Sequence, residues 1–243
     1  MAEQSDTLVF VPAWNEEENL SSVLEELKHE LPGADVLVVD DGSTDGTAAI
    51  AVEHGAEVLS FGANRGLPAA ISGGYSYAAE HEYEYCGRVD ADGQHPADEL
   101  RRLLDRVRAD TCDVAVGSRY ASGDGYEAWR YEPTRARRLG TAVLRRSMEV
   151  ALRRPFYDAT SGLYAANAKA IPILAQPYDS AAPEVQALLR LHQAGLRVDE
   201  VPVHMRERAS GESKLRGKKA VMVVLTVAGT LITFEALRRR GRG

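Results

Sequence analysis

TLVFVPAWNEEENLSSVLEELKHELPGADVLVVDDGSTDGT, residues 7–47, contains a strand, a helix and a second strand in that order. Thr7 to Val11 is a short run of β-branched and aromatic residues closed by Pro12, the pattern of a buried strand. Asn15 is the expected helix cap, with Glu16, Glu17 and Glu18 in a first turn where the helix dipole favours negative charge. Leu20, Val23, Leu24, Leu27 and Leu31 recur at three-to-four spacing, so one face of that helix packs on a core, and Pro32-Gly33 ends it. Val36 to Val39 then reads as a second strand, running into an Asp-Asp-Gly turn.

The alternation continues. Helices are expected over 47–54, 68–79 and 96–108, and strands over 57–61, 85–89 and 114–116. Strand, helix, strand at this spacing means parallel βαβ units, with helices on both faces of an α/β sheet. Ligands of such sheets gather at the carboxyl ends of the strands. Those ends carry Pro12 to Asn15, Asp40-Asp41, Asp90 to Asp92 and Ser118-Arg119, so four polar clusters are expected along one edge. Beyond Tyr120 the pattern is less regular: a long loop over 121–134, a helix over 135–152, a short strand over 161–165, a helix over 183–193 and a last strand over 198–203. Loops of that length are usually functional or disordered.

Composition sets the outer limits. The 243 residues are 44% hydrophobic and 27% charged, enough to bury a core without disulfides or a structural metal. Cys86 and Cys112 both adjoin apolar runs and read as reduced, buried thiols. The first residues lack a basic segment followed by an apolar one, so no signal peptide is expected. The net charge of −7 is uneven: residues 204–243 hold ten Lys and Arg against three Glu, leaving −14 on residues 1–203. An acidic body does not suit a nucleic-acid binder. A basic tail beside the uncharged run 220–234 suits an anionic surface or ligand.

Two clusters carry chemistry. In Asp90-Ala91-Asp92-Gly93-Gln94-His95, two carboxylates meet at a strand end that Gly93 turns. Hard oxygen ligands suit Mg²⁺ or Mn²⁺, which take one or two carboxylates and complete their shell from phosphates and water. An Asx turn before Pro96 accounts for the same residues without chemistry. In residues 40–47, Asp41 is placed to accept hydrogen bonds from a base or ribose, and a capped strand-to-helix turn is the plainer account. No Walker lysine, no GxGxxG after the first strand, no zinc spacing of histidines and no GxSxG elbow occurs, so P-loop, dinucleotide, zinc and serine-hydrolase readings fall.

Taken together, PAWNEE (12–17), VVDDGSTDGT (38–47), DADGQH (90–95), GSRY (117–120), DATSG (158–162) and EVPVHMRERASGESK (200–214) resemble the inverting family 2 glycosyltransferases, most closely the dolichol- and polyprenyl-phosphate sugar synthases. The resemblance implies a GT-A fold: a single Rossmann-like nucleotide-binding domain over residues 1–216, with a mostly parallel sheet. It implies that Pro12, Ala13, Trp14 and Glu16 line the nucleotide pocket and that Asp41 reaches the base or ribose. Asp90, Ala91 and Asp92 would hold the sugar nucleotide. Asp90 and Asp92 would also hold its Mg²⁺ or Mn²⁺, with Gln94 in support. Asp92, Arg119, Arg208 and Lys214 would serve the transfer, the three cations by meeting phosphate oxygens, and Arg206 in the same late segment also suits a phosphate. Leu67 and Tyr164 depart from the family, which often has lysine and arginine there.

The implied reaction moves a hexose from a GDP- or UDP-sugar to a polyprenyl phosphate. A sugar-hydroxyl acceptor is the alternative, with Glu184 as the one late carboxylate placed to act as base; a solvated glutamate at a helix start is its plainer account. A catalytically silent sugar-nucleotide binder is the reading from another class. Residues 217–243 are expected to lie on a membrane as an apolar helix with basic flanks, on the cytoplasmic face, or else to pack on the core or form an oligomer contact. Fifteen uncharged residues make a helix of about 22 Å, short of a hydrocarbon core about 30 Å thick.

Overall fold

The structure is a computed structural model and describes residues 5–123, 125–126, 145–180 and 182–206. In chain order the elements are β1 (Thr7–Ala13), α1 (Leu20–Glu30), β2 (Asp35–Asp40), α2 (Thr47–Glu53), β3 (Glu57–Ser60), α3 (Leu67–Glu80), β4 (Tyr85–Arg88), α4 (Ala97–Arg108) and β5 (Val114–Ser118). Then come a helix over residues 145–152, here α5, followed by β6 (Tyr164–Asn167), α6 (Ile171–Leu174), α7 (Pro183–Gln193) and β7 (Val198–Pro202). Most of the 121–134 loop, the start of the 135–152 helix and all of residues 207–243 lie outside the described residues, and with them Arg208, Lys214 and the apolar tail.

One seven-stranded sheet runs β3-β2-β1-β4-β6-β5-β7. β1, β2, β3 and β4 pair in parallel, as do β5 and β7. β6 is antiparallel to both β4 and β5 and sits between them. The expected short strand therefore exists, but it starts at Tyr164, and its direction was not foreseen. With β6 reversed, β5 still points the same way as β4, so the four polar clusters do share an edge.

Alternation along β1 shows how the sheet is sandwiched. Leu8 and Phe10 face a core built from α3, α5, α6 and α7, including Ile71, Tyr75, Met148 and Leu188. Val9 and Val11 face another built from α1, α2 and α4, including Leu24, Ala51 and Leu103. Successive side chains of a strand point to opposite faces, and a strand covered on both reads as an unbroken apolar run. The order reverses between β1 and β4: the chain winds outward from β1 to β3, then returns through α3 to the other side of β1. Such a switch point opens a crevice at the carboxyl ends of the strands. Asp90 to Asp92 lie there.

The Asn15 cap is corrected. α1 begins at Leu20, after a turn in which the Glu16 carbonyl accepts the N–H groups of Asn19 and Leu20. Glu16 to Glu18 precede the helix, and no acidic residue occupies its first turn. Asn15 instead takes a left-handed conformation, with φ +53°. Its Oδ1 accepts the Thr44 N–H at 2.8 Å, while its own N–H donates to Ser43 Oγ at 3.0 Å. A polar side chain able to visit positive φ suits this corner better than a cap.

Candidate active site

Three loops meet around the switch point. The first, after β1, presents Trp14 at 40% exposure above buried Pro12 and Ala13. Glu16 anchors it through its N–H to Thr47 Oγ1 at 3.0 Å and through Oε2, which accepts from Asn19 Nδ2 at 3.1 Å. The Ala13 carbonyl accepts the Asp41 N–H at 2.9 Å, which ties the end of β1 to the end of β2.

The second is the Asp40-Asp41 turn. Asp40 braces it, accepting the Ser43 N–H at 2.9 Å and Ser60 Oγ at 2.9 Å. The buried Asp41 carboxylate accepts the backbone N–H groups of Arg65 at 2.6 Å and Gly66 at 2.8 Å. Asp41 therefore fixes the 64–66 loop at the start of α3, a role its sequence context did not reveal. The same residue stands within the crevice edge where a nucleoside contact is expected.

The third loop is Asp90 to His95. Gly93 has φ +73°, so the turn expected after Asp92 is present. Asp92 is 7% exposed and its Oδ1 accepts the Gln94 N–H at 3.1 Å. Ala91 is buried. The Gln94 carbonyl accepts the Arg206 N–H at 3.0 Å. His95 is buried and its Nδ1 accepts the Asp90 N–H at 3.0 Å. That acceptor role requires an unprotonated nitrogen, in keeping with burial, which lowers the His95 pKa.

Asp90 lies against Gly162: a Cβ there would stand 2.4 Å from Oδ2, so a larger residue would push this carboxylate aside. Beneath it, Arg88 is 3% exposed, and its Nη2 lies 3.1 Å from both Asp90 Oδ1 and Glu184 Oε1. Burial opposes the arginine charge, but Asp90 and Glu184 outweigh it and hold its pKa above the ordinary value. Burial raises the Glu184 pKa, with Arg88 opposing. The solvated-glutamate account of Glu184 is thereby overturned. Tyr164, where the resemblance expects arginine, is the direct cross-strand neighbour of Arg88.

Arg119 also has a partner. Its Nε donates to Asp158 Oδ2 at 2.7 Å and its Nη2 to Asp158 Oδ1 at 2.8 Å, a two-pronged pair with a carboxylate buried to 1%. Any phosphate contact from Arg119 would be made by a guanidinium already held in this grip. Arg206, read from the sequence as a phosphate cation, pairs with Glu26 of α1 at 2.6 and 2.9 Å. Buried Glu99 accepts the His204 N–H at 2.9 Å, so two anchors hold residues 204–206 beside the 90–95 turn.

Asp90 and Asp92 offer hard oxygen donors, which fit Mg²⁺ or Mn²⁺. Among the described residues no group of three or more His, Cys, Asp and Glu gathers as a ready-made cage. A cation here would take its remaining ligands from phosphate oxygens and water, as such ions do in nucleotide sites.

A sheet of this order, with paired carboxylates at its switch point, is that of the GT-A fold. Residues 8–163 match the model of Glycosyl transferase family 2, and the chain belongs to that family. It is similar, at 32% identity over 97% of its length and 90% of the relative's, to the polyprenol monophosphomannose synthase of Mycolicibacterium smegmatis. It is 34% identical to the undecaprenyl-phosphate mannosyltransferase of Micrococcus luteus, over 96% of this chain and 98% of that one. The fold matches glucosyl-3-phosphoglycerate synthase of Mycobacterium tuberculosis, solved with Mn²⁺, uridine diphosphate and glucosyl-3-phosphoglycerate. That match has a TM-score of 0.67 at 21% identity, over 94% of this chain and 80% of the other. Among the described residues no helix is long and apolar enough to cross a membrane.

Proposed function

We propose that this enzyme is a metal-dependent inverting transferase that moves a hexose, mannose in the first instance, from a GDP- or UDP-sugar to a polyprenyl phosphate. The observation that carries the reading is its end-to-end similarity to two polyprenyl-phosphate mannosyl enzymes. The site is consistent with it. A hydroxyl acceptor needs a general base within reach of its proton, and the late carboxylate considered for that task, Glu184, is half-buried and paired with Arg88. A lipid phosphate is already an anion near neutral pH and needs no base.

In this reading Trp14 and Pro12 flank the base, with Ala13 and Glu16 shaping the pocket, and Asp41 contacts the nucleoside while holding the 64–66 loop. Asp90 and Asp92 hold a Mg²⁺ or Mn²⁺, with Gln94 in support, and Asp90 to Asp92 border the sugar. Bound there, such a cation would supply Lewis-acid stabilisation of the diphosphate charge. The acceptor phosphate attacks the anomeric carbon from the opposite side, which inverts its configuration. Arg119, Arg208 and Lys214 orient phosphate oxygens. The segment bearing Arg208 and Lys214 leaves the described body at Arg206, beside Gln94. Residues 217–243 rest on the cytoplasmic face of the membrane and bring this edge to the lipid. Residues 1–216 form the transferase unit.

A screen of GDP- and UDP-hexoses against a short polyprenyl phosphate, with and without Mn²⁺, tests the reading. Metal-dependent formation of a lipid-linked sugar is expected. Transfer to sugar hydroxyls alone, or nucleotide binding with no turnover in any pairing, would replace it.

A further inference from the structure

A charged group in the middle of this crevice remains unexplained by substrate contact. Arg88 closes β4, is all but fully buried, and takes part in two ion pairs from one nitrogen. One partner, Asp90, belongs to the site edge. The other, Glu184, comes from the first turn of α7, 96 residues later, and its side chain is 13% exposed. Buried charges of this kind are retained only when paired. For a purely structural purpose, apolar side chains of similar volume are often as good or better.

The charge count suggests another purpose. Arg88 alone with Asp90 would cancel the carboxylate and leave it a weak ligand. Glu184 takes a share of the same guanidinium, so Asp90, Arg88 and Glu184 together keep one net negative charge. We propose that Arg88 and Glu184 are positioning residues that set how firmly Asp90 holds the donor's divalent cation, Glu184 offsetting the Arg88 charge that lies beside that carboxylate. This inference rests on the reading of Asp90 and Asp92 as cation ligands. Gly162 lies on the other side of the same group, its missing Cβ leaving room for the carboxylate. Arg88 and Glu184 make their contribution through Asp90 and touch neither sugar nor acceptor.

The experiment is Mn²⁺ binding to the full chain in the presence of GDP and of UDP, followed by calorimetry. Glu184→Gln keeps an acceptor for Arg88 and removes the charge, so the three groups become neutral. Its Mn²⁺ affinity should fall about tenfold, as expected when one nearby charge is lost in a partly buried site. Nucleotide affinity without metal should stay unchanged. The double variant Arg88→Met, Glu184→Gln restores one net negative charge and buries no unpaired ion. It should return to within about twofold of wild type. In turnover, Glu184→Gln should raise the donor KM at limiting Mn²⁺ and recover kcat when Mn²⁺ saturates. A merely structural pair predicts the reverse order, with the double variant at least as impaired as the single one, and that result would overturn the inference. Unchanged Mn²⁺ affinity in Glu184→Gln would also overturn it. Asp92→Asn separates the two levels. If that variant loses Mn²⁺ binding while Glu184→Gln does not, only the role of the Arg88–Glu184 pair falls. If Asp92→Asn binds Mn²⁺ normally, the cation site itself is misplaced.

Discussion

Arg119 grips Asp158 through two nearly parallel hydrogen bonds, and the Asp158 carboxylate is almost completely removed from water. Arg119 follows the end of β5 and Asp158 leads toward β6, the strand that separates β4 from β5, so this pair ties the end of β5 to the approach to its neighbour. Breaking a buried pair by removing one partner costs about 3–5 kcal/mol, because the remaining charge is left unpaired. Arg119 is partly exposed, which favours the low end. Asp158→Ala should lower the urea midpoint accordingly. A midpoint matching wild type would show that the grip contributes nothing to the fold.

Asp41 holds the 64–66 loop through two adjacent N–H groups. Replacing it by Ala removes the acceptor for the Arg65 and Gly66 N–H groups and the proposed nucleoside contact together. Hydrogen bonds to a charged group are worth roughly 1.5–3 kcal/mol, so donor affinity should fall about ten- to a hundredfold, equally with and without metal. Calorimetry with the bare nucleoside diphosphate reads this directly. An unchanged affinity would take Asp41 out of the site.

Acid stability should depend on Asp113, far from the crevice. Side-chain hydrogen bonds from Arg197, at 3.0 and 3.1 Å, hold the Asp113 carboxyl well below the usual carboxylate range against the opposing effect of burial. Its folded pKa is depressed, so its stabilisation is present above the ordinary value of about 3.9. That stabilisation fades as pH falls through the lower folded value. Asp113→Asn should be less stable than wild type at pH 7, and the gap should shrink in acid unfolding experiments below pH 4. A gap that is constant with pH would assign the effect to packing.

Residues 217–243 carry the proposed membrane contact. Deleting them should reduce transfer to a polyprenyl phosphate far more than nucleotide binding, and should abolish salt-sensitive attachment to vesicles of anionic lipid. Each surface cation is worth about 1 kcal/mol there. Wild-type transfer by the shortened protein would remove the membrane from the account.

The parallel half of the sheet was legible because its strands are apolar runs between amphipathic helices, as in Thr7 to Val11 and Val36 to Val39. The antiparallel insertion of β6 was not, since Tyr164 to Asn167 carries no mark of direction; its neighbours on both sides set it. The carboxylates of Asp90 and Asp92 were legible from the strand-turn pattern. Arg88 was missed, although a lone arginine within Tyr85 to Val89 is a usable signal: a charge inside a buried strand requires a partner. Glu184 could not be matched to it, because the two are brought together by the packing of α7 near the end of β4. Arg119 and Arg206 read as phosphate cations in the sequence, and only the fold reveals Asp158 and Glu26 beside them.

The most direct test of the central claim is the anomeric configuration of the product formed from an α-linked nucleotide hexose and a short polyprenyl phosphate, read by NMR. The account predicts a β-linked glycosyl phosphate, formed with Mg²⁺ or Mn²⁺ present and lost in Asp92→Asn while that variant keeps its wild-type melting transition. An α-linked product, or sugar delivered to a hydroxyl acceptor while the lipid phosphate is left untouched, would contradict it.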